Sequence, residues 1–222
     1  MNLNKKVLVL FVILLSIINV VVGQNRISSP YSRYGIGSLQ NRNSIFSYSM
    51  GNLSKSISGP TVINFGNPAS YSAFDSMSFV FDGALISSNT NLLSTTASQA
   101  TNYVSLSYFM IGFPISKRIK TSFGLLPYSD IGYKIIDKQD LPSIGNTTFN
   151  YEGDGGITQF YWGNSFKILP SLSIGLNASY LFGNLIRTRK IEYETTNTFN
   201  TLNRITNHIH GFLFQAGVQH KI

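Results

Sequence analysis

Along residues 171–184, Ser-Leu-Ser-Ile-Gly-Leu-Asn-Ala-Ser-Tyr-Leu-Phe-Gly-Asn, apolar and polar positions alternate with a period of two. Ile174, Leu176, Ala178, Tyr180 and Phe182 fall on one side of an extended strand, and Ser173, Gly175, Asn177 and Ser179 on the other. Comparable runs lie near 76–87, 101–113, 119–134, 156–168, 171–186 and 207–220, none with a helical period. In the second, Val104, Leu106, Tyr108 and Met110 alternate with Tyr103, Ser105, Ser107 and Phe109. The fourth sets Phe160, Trp162 and Phe166 against Gln159, Tyr161, Gly163 and Ser165. The sixth sets Phe212, Phe214, Ala216 and Val218 against Gly211, Gln215, Gly217 and Gln219. One such strand would also suit a sandwich with a wet face. Recurrence with Tyr or Phe near the strand ends fits a wall with lipid outside and water or packed polar groups inside.

The connections add an independent signal. They run long (88–100), short (114–118), long (135–155), short (169–170) and long (187–206). Outer-membrane barrels follow this rule, with long loops outside the cell and short turns in the periplasm. The expected fold class is therefore all-β, a transmembrane antiparallel β-barrel. Six strands are fewer than the roughly eight of the smallest bacterial barrels. The expectation is an N-terminal part of a larger barrel ending at Ile222, with dimeric closure or a tightly tilted soluble barrel as the alternative.

The N-terminus reads as an export signal. Lys5 and Lys6 precede an apolar run, Val7 to Val22, and Val21-Val22-Gly23 offers a cleavage site before Gln24. That run is shorter than the roughly 18–20 residues of a spanning helix. Residues 24–74 are rich in Ser, Asn and Gly without a sustained period, and 75–222 hold the partial barrel. The expected location is the outer membrane of a Gram-negative bacterium.

Charge and chemistry narrow the function. Without Lys5 and Lys6, the 17 basic residues fall to 15 against 9 acidic ones. Only 12% of residues are charged, too few for a typical soluble surface, and no basic stripe or aromatic-basic interleaving marks a nucleic-acid binder. With no Cys, neither a lipidated mature start nor a disulfide is expected. His208 and His210 share a strand face, but two ligands do not close a metal site. Glu152 and Asp154 sit in Glu-Gly-Asp-Gly-Gly, which reads as a turn. No nucleophile elbow or phosphate loop is present. No enzymatic activity, metal or cofactor is expected.

Ser29-Pro30-Tyr31-Ser32-Arg33-Tyr34-Gly35-Ile36-Gly37 and Asn67-Pro68-Ala69-Ser70-Tyr71-Ser72-Ala73 resemble segments of a group of Bacteroidota outer-membrane proteins. So do Ser122 to Ser129, Tyr161-Trp162-Gly163-Asn164 and the Leu172 to Gly183 strand. That group is similar to the FadL/TodX superfamily of transporters for hydrophobic compounds, with Asn-Pro-Ala as the main shared signature. PorV-like relatives serve type IX secretion instead, so the fold leaves the role open. The resemblance implies a barrel of about 14 strands whose N-terminal segment, residues 24–74, folds inside as a hatch.

Asn67, Pro68 and Ala69 would then lie where the hatch hands over to the first strand, shaping a turn or contacting a ligand. Pro127 falls in the third strand, where proline removes a ladder donor. The resemblance implies a lateral opening there; an ordinary bulge near the rim is the alternative. Tyr103, Phe109, Tyr161 and Leu181 are the apolar side chains expected to face the lumen. Two functions stand open. One is passive transport of a hydrophobic small molecule, such as a long-chain fatty acid. The other is a structural or secretion-associated barrel that binds protein partners. An apolar pocket between hatch and wall would favour the first, and a polar, filled lumen with large ordered outer loops the second.

Overall fold

The computed structural model describes residues 29–93, 98–142, 145–194 and 198–221; the signal-peptide reading of 1–23 lies outside them. A two-residue strand, β1 (Ser38–Leu39), precedes six wall strands. These are β2 (Val80–Leu93), β3 (Ser98–Pro114), β4 (Ile119–Leu141), β5 (Gly145–Lys167), β6 (Leu172–Tyr193) and β7 (Thr201–His220). They form one antiparallel sheet in sequence order, with β2 and β7 at its ends. The all-β expectation and the six wall strands hold.

The strands run further than their apolar patterns indicate. Segments 135–155 and 187–206, expected as long loops, are mostly ladder. The β4–β5 register continues to Leu141↔Gly145 and the β6–β7 register to Ile191↔Thr201. An antiparallel ladder satisfies its own backbone and needs no apolar face, so polar segments rich in Thr, Tyr and Ile extend it. The 23 residues of β5 span roughly 75 Å at ~3.3 Å per residue, about twice what crosses a bilayer.

Lipid-type rows occupy the half of the sheet beside the short turns. Ile174, Leu176, Tyr180 and Phe182 of β6 share an exposed face with Phe160, Trp162 and Phe166 of β5 and with Phe212, Phe214 and Val218 of β7. Beyond them the same face turns polar. Lys134 pairs with Glu152 at 2.9 Å, and Asn150 donates to Glu192 at 2.8 Å. Lys190 contacts Glu192 at 2.5 Å, and its hydrogen bond holds that carboxyl below the ordinary range.

The N-terminal segment covers the opposite, inner face. Ile63, Phe65, Tyr71 and Phe74 pack against Val80, Ala84, Tyr108, Met110, Leu126 and Tyr161. Each such side chain contributes about 1.5–3 kcal/mol relative to exposure. Farther up, Ile131, Tyr133, Ile157 and Leu185 form a second core. The segment comes this close because the wall carries glycines beneath it. A Cβ on Gly175 would strike the backbone of Pro68 and Ala69, and one on Gly217 the Asn67 side chain.

Gly175→Val should therefore lift the Pro68–Ala73 turn off the wall, destabilising the fold by about 1–3 kcal/mol. Protease cleavage between residues 55 and 74 should accelerate and the urea midpoint should fall, whereas Gly211→Val, where a Cβ meets nothing within 4 Å, should change neither. Equal protection of both variants would contradict this packing.

Candidate functional site

Two features distinguish this sheet from a plain wall: the seat of the Asn67-Pro68-Ala69 turn and a parting between β3 and β4. The seat is built from the turn outward. Asn67 caps a 3₁₀ turn, Pro68–Ala73, by accepting from the Ala69 N–H at 3.2 Å, and Pro68 occupies its first turn. Proline suits that position because the turn has no use for its N–H. The Asn67 amide donates to Lys55 O at 2.7 Å and Val218 O at 3.4 Å. Its carbonyl and amino groups are thus committed to backbone.

The wall answers with its own polar row. Ser173 donates to Ala69 O at 3.1 Å, Asn177 to Phe65 O at 3.2 Å, Gln215 to Gly66 O at 2.8 Å and Gln219 to Ser56 O at 3.2 Å. Tyr71 donates to Asn177 Oδ1 at 3.1 Å, completing both sides of that amide. The small polar faces of β6 and β7 are therefore the docking surface for the N-terminal segment.

At the second feature, β3 and β4 pair only from Phe109↔Leu125 to Pro114↔Lys120. Beyond Phe109, β3 follows β2, while β4 keeps β5 as its one neighbour among the wall strands. Both parting strands carry a bulge there. Ser107 has no partner between Ala84↔Tyr108 and Leu85↔Leu106, and Tyr128 has none between Pro127↔Thr158 and Ser129↔Ile157. Pro127, which lacks a ladder donor, sits where β4 no longer needs one toward β3.

The N-terminal segment takes the place of the missing neighbour. β1 pairs antiparallel with β4 through Ser38↔Asp130 and Leu39↔Ser129. Gln40 N–H donates to Tyr128 O at 3.0 Å and Ser29 N–H to Gly132 O at 3.2 Å, while Gly132 N–H donates to Ser32 Oγ at 3.1 Å. Gly37 is required for this approach: its φ is +91°, and a Cβ would strike Asp130 O. Arg33 stacks over Tyr151 at 4.7 Å, and Arg187 donates to Gly35 O at 2.5 Å. Beside the parting lies a cavity of about 540 Å³ lined by Ile45, Tyr48, Leu85, Ile86, Leu106 and Pro127, among others.

The four apolar residues expected at the lumen separate here. Tyr161 is fully buried inside, against Phe65 and hydrogen-bonded to Ser122 at 2.7 Å. Leu181 packs on the second core. Tyr103 pairs with Ser88 and shares the inner face of Ile86. Phe109 does not face inward: its neighbours Tyr108 and Met110 are buried inside, and its ring meets the exposed Phe81 on the outer face, 5.1 Å between centroids. The reason is the bulge at Ser107, which puts Tyr103 and Phe109 on opposite faces although their sequence parity is the same. Also unread in sequence was the pairing of β1, whose only trace is the pair Gly35 and Gly37 beside Ser38.

Among the described residues no group of three or more His, Asp or Glu side chains could hold a metal ion. No curated protein and no solved structure matches this chain. The BamG family model matches residues 3–222. The chain belongs to the BamG family, a bacterial outer-membrane-associated family.

Proposed function

We propose that this chain forms a hatch-sealed outer-membrane β-barrel, exported by a cleaved signal peptide, that works without catalysis as a protein-binding scaffold. The partners we assign to it are other outer-membrane proteins or a secretion apparatus, in keeping with its outer-membrane-associated family. The supporting observation is the polar seat. Where a conduit for hydrophobes needs an apolar path between hatch and wall, Ser173, Asn177, Gln215 and Gln219 bind hatch carbonyls instead. The roughly 720 Å³ space between the hatch and β7 is also lined largely by polar groups, including Arg42, Lys55, Asn41, Asn43 and Gln215. Above the apolar belt, ordered ribbons expose Ile136 and Leu202 among polar side chains, a mixed surface of the kind that docks protein.

Depletion of the protein should lower the outer-membrane level of other barrel proteins and leave uptake of a fluorescent long-chain fatty acid unchanged. Photocrosslinkers placed at Ile136 or Leu202 should capture a discrete protein in intact cells. Uptake that tracks the amount of this protein, with no effect on other barrels, would falsify the scaffold reading.

One observation favours the alternative of passive hydrophobe transport: the parting of β3 and β4 at Pro127, with its largely apolar cavity. If hydrophobes leave there, Pro127→Val should slow uptake severalfold in a folded protein. On the scaffold reading the same variant should leave uptake at the wild-type rate.

A further inference from the structure

We propose that the mouth of the barrel beside the short turns holds a receptor for carboxylates, suited to an acidic peptide segment of a periplasmic protein. The inference rests on the reading of the chain as a protein-binding outer-membrane barrel. A cavity of about 260 Å³ opens between the end of the hatch, the β3–β4 turn and the β5–β6 turn. Four lysines, Lys117, Lys120, Lys167 and Lys221, line it with one acidic residue, Asp75. Ser171 and Ser173 add hydroxyls, and Leu169 an apolar rim.

Lys120 is the least exposed of these lysines, at 3%, and it lines the cavity together with Lys167. Lysines gathered around one small space repel one another, and an incoming anion relieves that repulsion. Attraction from Asp75 and repulsion from Lys167 both act on Lys120, and four lysines against one acidic residue leave the lining with a positive excess. The cavity volume suits one or two carboxylates with their backbone rather than a folded body.

The strand pleat selects the source of the anion. Lys120 alternates with Ile119, and Lys167 lies next to Phe166; Ile119 and Phe166 are partly exposed partners across the β4–β5 ladder on the lipid-type face. The lysines therefore point to the lumenal side of the wall, away from leaflet phosphates. The strands run on past the apolar belt only at the other end, and by the barrel rule that long excursions lie outside the cell the cavity meets periplasmic chains. Acidic side chains on such a chain complement it directly.

The test uses the purified outer-membrane protein in nanodiscs with a fluorescein-labelled hexaglutamate peptide, read by anisotropy. Binding should weaken with added salt and by about tenfold in Lys120→Gln or Lys167→Gln. Lys117→Gln, on the exposed turn, should give a smaller loss without risk to the fold, and Lys134→Gln, on the far ribbon, none. Hexaglutamine should not bind. Inorganic phosphate that displaces the peptide stoichiometrically at equal concentration would reassign the cavity to free phosphate. Displacement only by anionic lipid vesicles would reassign it to headgroups. Equal hexaglutamate binding by all lysine variants, each with wild-type heat-modifiability on gels, would overturn the proposal. Crosslinking at Ile136 and Leu202 probes the scaffold reading separately, so failure of one leaves the other measurable.

Discussion

At membrane depth a backbone donor or acceptor without a partner costs several kcal/mol, and this requirement governs the structure. Four of the wall's neighbouring pairs meet it with long ladders, but β3 and β4 share only six residue pairs. Where they part, the inner segment supplies the missing bonds through β1, Gln40 and Ser29. The N-terminal segment is thus part of the wall as well as its inner cover. Gly37 and the bulge at Tyr128 follow from that substitution, since only a close and locally bent approach brings the two backbones together.

The same constraint explains why the lumen is polar where it is full. The Pro68–Ala73 turn brings carbonyls that no helix or ladder satisfies into the interior. Ser, Asn and Gln on β6 and β7 supply the donors, and Gly175 and Gly217 supply the space. Past the apolar belt the strands continue as long ribbons that carry the Lys134–Glu152 and Lys190–Glu192 pairs on their surface. Exposed pairs of this type add little stability, so the ribbons owe their order to the ladder itself.

Much of the wall was legible because period-two alternation is the direct imprint of a two-sided sheet. Ile174 to Phe182 and Phe212 to Val218 face outward as the pattern implies. The ribbons were not legible, because Arg187 to Tyr193 and Thr147 to Glu152 carry polarity typical of loops while their ladders satisfy them locally. Phe109 was misplaced because one extra residue, Ser107, reverses the parity, and a bulge leaves no mark in hydropathy. The polar inner row was visible in sequence, but its purpose was not: Asn177 reads as water-facing until Tyr71 and Phe65, more than a hundred positions earlier, are found against it.

That separation bears on the order of folding. Asn67 reaches Val218 across 151 positions, and Gln219 reaches Ser56 across 163. The N-terminal segment leaves the ribosome first, yet its seat is incomplete until β6 and β7 stand side by side. Contacts this distant repay their loop-closure entropy late. The N-terminal segment is therefore among the last parts to settle, and until then its Ile63, Phe65 and Tyr71 lack the wall they pack on.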